Sequence, residues 1–435
     1  MKKVFLVSGK RTPFAKAGTK LQAVPSMELG RHALVSAVHA MGHRPEKLTG
    51  VVDEVIVGNV GSPPDAANIG RVVSMRAGFD QSISAYTVHR NCASALEAIA
   101  QGFLKISSGV ADVIAAGGTE SMSNMPLIYN KKSLKFFGAM MKAKTTGKKL
   151  KALCSYPFGA FMNPRVAIKE GLTDPFCGLN MGQTAEVVAK DFLINREQQD
   201  KYAMESHHKT VTASEAGFFN DEIAEYSVPP KFKDSLSLDV GPRKGQSMEA
   251  LAKLRPYFDR KHGSVTVGNA CPITDGAAMV MLASEEGLKK LDNPKVLAEI
   301  TNYSFAGLDP KRMGLGPVFA TAKLLKKTGQ KVSDFGVIEL NEAFAAQVIG
   351  CLNAFDSDKF AADHLGLSSK LGAIDPSILN PQGGAIAIGH PVGATGARLV
   401  LTAALQMNRN NIEHGLATLC IGGGQGGALS LKLVK

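Results

Sequence analysis

With 435 residues, 45% of them hydrophobic and 20% charged, the chain has the composition of a globular protein and exceeds one ordinary core, so two or three domains are expected. The net charge of +12 would suit nucleic acid, an anionic membrane or a phosphorylated ligand, but no nucleic-acid-binding module or aromatic stacking platform accompanies it. No apolar run approaches the roughly 20 residues of a transmembrane helix, and the six cysteines (Cys92, Cys154, Cys177, Cys271, Cys351, Cys420) form no CxxC pair, which argues against a zinc site or a disulfide framework and for free thiols in a cytosolic protein.

In chain order, residues 3–8 read as a first core strand, because Ser8-Gly-Lys-Arg11 ends the apolar run too early for a targeting segment. An amphipathic helix follows from Met27 to Met41, a strand from Val51 to Val57, the loop Gly58 to Pro64, a helix from Ala66 to Ala77 and a strand from Ile83 to Val88. Next comes Val88-His-Arg-Asn-Cys-Ala-Ser-Ala-Leu-Glu-Ala-Ile-Ala100, whose Leu96, Ile99, Ala100 and Phe103 recur at helical spacing. Asp112 to Ala116 is a strand ending in Gly117-Gly118. Residues 120–250 have another texture, polar and punctuated by Pro and Gly, with a helix expected over Arg196 to Gly217. The remainder repeats the first order: a strand at Val337 to Leu340, a turn at Asn341, a strand or turn near Ile378, the His390 loop, a helix with Leu399, Val400, Ala403 and Ala404, and a strand at Leu416 to Cys420 running into glycines. Such alternation implies a mostly parallel, covered sheet, and the repeat implies an internal duplication.

Cys92 sits where a strand hands over to a helix N-terminus, a place where unpaired N–H groups and the helix dipole stabilise a thiolate. Alone it reads rather as a small buried residue at a packing contact. Three later segments supply matching chemistry: Glu339-Leu-Asn-Glu-Ala-Phe344, the run from Asn380 through His390 to Arg398, and Ala417-Thr-Leu-Cys-Ile-Gly-Gly-Gly-Gln-Gly-Gly427. Together they hold an asparagine, a histidine and a second cysteine among glycines and turns. Taken singly, Asn341 would be a cap, His390 a loop histidine and Cys420 the end of a core strand.

With these four motifs in this order, from Lys10-Arg-Thr-Pro-Phe14 to the last glycines, the sequence resembles the thiolase family. The resemblance implies a duplicated five-layered α/β/α/β/α fold with an inserted loop domain. It divides the chain into an N-terminal half over 1–120 (completed by about 248–275), an inserted coenzyme A-binding loop domain over 121–247 and a C-terminal half over 276–435. It implies an acyltransferase that cleaves 3-ketoacyl-CoA with coenzyme A, to acetyl-CoA and a shortened acyl-CoA, in fatty-acid β-oxidation. Cys92 would be the acylated nucleophile, and His390 would deprotonate it and donate to the thioester oxygen. Asn341 would hold a water, Cys420 would move the proton, and the N–H groups of Cys92 and Gly422 would form a second oxyanion hole. Met181 (in Asn180-Met-Gly-Gln-Thr-Ala-Glu186), Arg243, Ala270 and Cys271 would meet coenzyme A, a co-substrate; neither a permanent cofactor nor a metal is implied. Lys244 is a second candidate for phosphate contact. Two departures stand out: Cys271 occupies a position often held by serine, and Val392 one often held by Phe. The alternatives are acetyl-CoA C-acetyltransferase acting on acetoacetyl-CoA, a non-catalytic thiolase-like lipid-binding protein, and a scaffold subunit of a larger assembly.

Residues 127–165 are longer and more basic than the short form of the family and resemble the thiolase subunit of trifunctional fatty-acid oxidation complexes. That implies a homodimer or tetramer, with an enoyl-CoA hydratase/3-hydroxyacyl-CoA dehydrogenase partner. Asn130 to Lys151 holds eight lysines and no acidic residue. Leu134, Phe137 and Met141 recur at helical spacing, so a basic amphipathic helix lying on an anionic membrane is expected of a protein otherwise cytoplasmic.

Overall fold

A computed structural model describes residues 2–434. Its main sheet has nine principal strands: β1 (Val4–Arg11), β2 (Glu54–Gly58), β3 (Ser84–Val88), β4 (Val113–Ser121), β5 (Thr274–Ala283), β6 (Ala298–Gly307), β7 (Val337–Leu340), β8 (His414–Ile421) and β9 (Gln425–Lys432). They lie in the order β7-β8-β9-β6-β1-β5-β4-β2-β3, and the two-residue strand Ala15–Lys16 pairs with β5 as the tenth. The flanking helices used below are α1 (Ser26–His39), α2 (Ile69–Ala77), α3 (Ser94–Ser107), α4 (Lys131–Lys142), α5 (Thr146–Cys154), α6 (Met181–Asp191), α7 (Arg196–Glu215), α8 (Gly316–Thr328), α9 (Ala345–Phe355) and α10 (Thr395–Asn410).

The sheet is mixed, which corrects the expectation of a mostly parallel one. Only β2/β3, β2/β4 and β7/β8 are parallel. Each half closes with a strand that runs back against its predecessor: β5 against β4, and β9 against β8 through the tight Gly422–Gly424 turn. A turn of so few residues can join only antiparallel strands.

The duplication is visible in the ladder. Outward from the centre, β1 pairs antiparallel with β5, β5 antiparallel with β4, and β4, β2 and β3 run parallel. On the other side β6 pairs antiparallel with β9, β9 antiparallel with β8, β8 parallel with β7, and Ile338 of β7 makes a parallel bridge to Leu379. An antiparallel β1/β6 contact joins the halves. Because β5 lies between β1 and β4, the division expected at residue 276 falls inside a strand of the first half.

Buried Leu96, Ile99 and Phe103 of α3 and Leu399, Val400 and Ala403 of α10 share one core with β1, β4, β5 and β8. These two helices occupy corresponding places in the halves, and their N-terminal turns meet. A Cβ on Gly396 would stand 2.4 Å from the backbone nitrogen of Leu96, so only glycine lets them approach so closely. The helices of the central segment begin with strong local signals. Asn180 caps α6 and Asn195 caps α7, each in a reciprocal capping box with a glutamine three residues on.

The basic segment forms two helices, α4 and α5, broken at residues 143–145, where a single amphipathic helix was expected. Phe136, not Phe137, faces inward, with its ring 4.7 Å from that of Tyr156. Leu134, Met141, Leu150, Leu153, Phe158 and Met162 remain exposed.

Candidate active site

The ladder register pairs corresponding residues of the two halves. Gly58 ends β2 opposite Gly118, and Leu340 ends β7 opposite Thr418. Asn59 and Asn341 are therefore equivalent, as are Glu120 and Cys420. The segments after β3 and after Leu379 carry Cys92 and His390 to the starts of α3 and α10.

Cys92 is half-buried in a turn that Asn91 enters with φ 44°. Asn91 Nδ2 donates to the carbonyl of Gly422 at 2.7 Å, tying this turn to the glycine turn of the second half. The Cys92 thiol thereby comes under the backbone N–H groups of Gly422 and of Cys92 itself. Both favour the thiolate, yet burial outweighs them and the thiol stays above its ordinary pKa.

His390 is buried in the loop that leads into α10. Its backbone N–H donates to Thr274 Oγ1 at 3.1 Å, and its Nδ1 lies 2.6 Å from Thr395 Oγ1. Burial, assisted by the Arg398 cation, lowers its pKa to about 3, so the ring is neutral near pH 7. Nε2 is buried and finds no hydrogen-bond partner among the described residues. Asn341 is similar: its side chain is fully buried and neither Nδ2 nor Oδ1 has a partner among the described residues. Buried polar groups without a partner are the exception in folded proteins, and both lie in loops that follow Leu340 and Leu379 of the second half.

Cys420 is buried near the end of β8, with Cys271 and Met181 in the same apolar cluster. Burial pushes the Cys420 thiol well up and the Cys271 thiol up to about 12, and in both the nearby Cys92 opposes ionisation further. Cys271 donates its N–H to the Ala343 carbonyl at 3.0 Å, and Ala270 makes an antiparallel bridge to Phe344, so this loop lies along the Asn341 turn. A Cβ on Gly422 would come within 3.3 Å of Met181 Sδ. Met181, Ala270, Cys271 and Gly422 therefore belong to one neighbourhood with Cys92 and Cys420. Val392 is buried. Arg243 is exposed and forms no ion pair among the described residues, whereas Lys244 pairs with Glu215 at 2.6 Å. Arg243 donates its backbone N–H to His207 Nδ1 at 3.3 Å, and a Cβ on nearby Gly241 would touch the carbonyl of Ala387, three residues before His390.

Several supporting residues were not singled out from sequence. Glu342 is buried and accepts from Ser206 Oγ at 2.6 Å, Tyr202 Oη at 3.0 Å, and Asn380 Nδ2 and the Ile386 N–H at 3.2 Å, which anchors the Asn341 turn. Glu120 accepts from the N–H groups of Val60 and Gly61 at 3.0 Å and from Asn59 Nδ2 at 3.2 Å. Their partners lie up to 140 residues away, and no local pattern announces them. Arg398 is buried against Glu339 at 2.8 Å.

The N-terminal domain model of thiolases matches residues 4–286, and the C-terminal domain model matches residues 294–433. The chain belongs to the thiolase family. This thiolase is 37% identical over 432 residues to a 3-ketoacyl-CoA thiolase of Yersinia enterocolitica, covering 99% of this chain and 97% of that one. It is 38% identical, with the same coverage, to a 3-ketoacyl-CoA thiolase of Photorhabdus laumondii. Among solved structures, the human mitochondrial 3-ketoacyl-CoA thiolase in complex with CoA superimposes with a TM-score of 0.85 at 34% identity, covering 100% of this chain and 98% of that one. The acetyl-CoA acetyltransferase of Bacillus anthracis gives 0.85 at 33% identity, covering 100% and 99%. The fold is that of the family, and the thiolase is an acyltransferase.

Proposed function

We propose that this thiolase cleaves 3-ketoacyl-CoA with coenzyme A in fatty-acid β-oxidation. The observation that carries the reading is a buried His390 Nε2 and a buried Asn341 amide, both without partners, beside two thiols gathered at the Gly422 turn. His390 Nε2 takes the proton of Cys92, whose sulfur attacks the 3-keto carbon. The N–H groups of Cys92 and Gly422 hold the resulting oxyanion. The C2–C3 bond then breaks, leaving the acyl group on Cys92 and its electron pair in the enolate of acetyl-CoA. The enolate oxygen is held by His390 and by a water on Asn341, while the Cys420 thiol protonates C2. Incoming coenzyme A returns a proton to Cys420 and its sulfur displaces the acyl group from Cys92. Met181, Ala270 and Cys271 line the approach for pantetheine, and Arg243 meets a phosphate. Mass spectrometry after brief exposure to substrate without coenzyme A should find the acyl adduct on the peptide containing Cys92; sole labelling of Cys420 would reverse the roles.

The equal superposition on an acetyl-CoA acetyltransferase supports a second reading, turnover of acetoacetyl-CoA. Comparing kcat/KM for acetoacetyl-CoA and a long-chain 3-ketoacyl-CoA decides between them. The long segment 127–165 supports the degradative enzyme and, with it, residues 121–247 as the coenzyme A-binding insertion and a hydratase/dehydrogenase subunit as partner. The unpaired edge strand β3, next to Cys92, supports self-association into a homodimer or tetramer.

No helix among the described residues is long and apolar enough to cross a membrane. We infer a cytoplasmic protein whose α4–α5 pair rests on anionic lipid. Lys131, Lys132, Lys135, Lys142, Lys144, Lys148, Lys149 and Lys151 are all exposed and none forms an ion pair among the described residues, while Leu134, Met141, Leu150 and Leu153 project beside them. Each such lysine contributes about 1 kcal/mol near an anionic surface. Co-sedimentation with anionic and neutral liposomes, comparing the parent with Lys131, Lys132, Lys135 and Lys142 changed to Gln, tests this. Equal binding by both proteins excludes the membrane role of these lysines and leaves partner docking.

A further inference from the structure

The structure assigns Thr395 the task of choosing which nitrogen of His390 carries the proton, by accepting a hydrogen bond from Nδ1 and leaving Nε2 bare. The inference rests on the proposed acyl transfer and deepens the role of His390 in it.

The two ring nitrogens have different surroundings. Nδ1 is 2.6 Å from Thr395 Oγ1, whereas Nε2 is buried without a partner. A neutral imidazole has one N–H to place, and which nitrogen bears it depends on the bonds available on each side. Thr395 is the first residue of α10, so its hydroxyl also reaches the carbonyl of Pro391, one turn back, at 3.1 Å. The hydroxyl has a single proton. If it goes to Pro391, the oxygen presents lone pairs to Nδ1, the ring donates there, and two hydrogen bonds form. If the hydroxyl instead donates to Nδ1, only one bond forms and the proton moves to Nε2, where a buried N–H is left without an acceptor. Orphaned buried N–H groups are the rarer and costlier fault, so the first arrangement prevails.

This arrangement suits the chemistry at both stages. Before reaction, Nε2 is a free base for the Cys92 proton. Afterwards, the imidazolium keeps its Nδ1–H on Thr395 and offers the new Nε2–H to the thioester oxygen. A neutral hydroxyl in this place, rather than a carboxylate, also orients the ring without holding the proton on it, in keeping with the low pKa that burial and Arg398 impose. Thr395 is therefore a positioning residue.

The test uses the full-length enzyme with ¹⁵N-labelled histidine, His390→Asn to assign the signal, and the variants Thr395→Val and Thr395→Ser. Near neutral pH the parent should show a protonated Nδ1 and a bare Nε2. Thr395→Val should shift the proton toward Nε2 and lower kcat by on the order of 10²-fold with KM for coenzyme A unchanged, and Thr395→Ser should restore both the spectrum and the rate. A parent ring protonated at Nε2, a Thr395→Val enzyme with parental kcat, or a Thr395→Ser enzyme that melts like the parent yet stays slow would each overturn the assignment. If Thr395→Val fails to fold, the parent spectrum and Thr395→Ser decide. A parent without thiolase activity would count against the proposed function, while the nitrogen spectrum would still judge Thr395.

Discussion

Asn341 occupies in the second half of the sheet the position that Asn59 occupies in the first, and only the Asn59 amide nitrogen is bonded. Asn59 Nδ2 donates to the Thr119 carbonyl at 2.8 Å and to Glu120, whereas Asn341 has no side-chain bond among the described residues. The duplicated place thus serves structure in one half and is left open in the other. Asn341→Ala should therefore melt close to the parent while kcat falls about 10²-fold or more, the loss expected for one oxyanion-hole contact. Asn59→Ala should do the reverse and lower the melting temperature. Thermal unfolding beside steady-state rates checks both; a strongly destabilised Asn341→Ala would count against a role reserved for substrate.

Cys420→Ala removes the proposed proton carrier and leaves the proposed nucleophile, Cys92, in place. Overall turnover should fall by on the order of 10²–10⁴ while Cys92 still becomes acylated, seen as adduct mass. Full activity in this variant would remove Cys420 from the reaction.

Arg243 and Lys244 are neighbours with different obligations, since Lys244 pairs with Glu215 and Arg243 has no carboxylate partner among the described residues. Arg243→Ala should raise KM for coenzyme A several-fold with little change in kcat, as expected for loss of about 1 kcal/mol from one exposed charge contact. Lys244→Ala should leave KM near the parent value. Equal effects would indicate surface charge acting at a distance.

Gly118 marks a coupling between the halves. A Cβ there would lie 1.9 Å from the carbonyl oxygen of Gly393, in the loop between His390 and Thr395. Gly118→Ala must displace that loop, so activity should drop while stability falls by about 1–3 kcal/mol. Denaturant unfolding and kcat together test this; retention of parental activity would show that the loop yields without moving His390.

His390 also leaves a signature in stability. Its pKa falls from 6.5 in the unfolded chain to about 3 in the fold. The unfolded state therefore binds the extra proton between those values, and stability due to this group is present above pH 6.5 and lost as pH falls toward 3. In His390→Asn that acid penalty, on the order of several kcal/mol at full extent, is absent. The difference in melting temperature, variant minus parent, should grow more positive as pH drops from 7 to 4. A difference independent of pH would mean that His390 is not held neutral by burial.

The strands, the main helices and the positions of Cys92, Asn341, His390, Cys420 and Gly422 at element ends were legible in the sequence, because apolar period, caps and glycine turns act over a few residues. Even the repeat of strand order was visible, and the ladder shows it for four strands of each half, with the bridge to Leu379 standing in place of a fifth. What the tertiary structure alone decided concerns groups brought together from distant places. The mixed direction of the sheet follows from which strands close each half, and strand pairing is a long-range choice. The ionisation of Cys92 turned on burial outweighing two N–H donors, and burial is a property of the whole packed core. The inward turn of Phe136 depended on Tyr156 standing opposite, which helical spacing within 130–151 could not foretell. The partners that anchor the site, Ser206 and Tyr202 on Glu342 and Asn59 on Glu120, are recorded only by proximity in space. The chemistry of the reacting groups can be read from residue types and local turns; their protonation and orientation are set by contacts that exist only once the two halves have closed on each other.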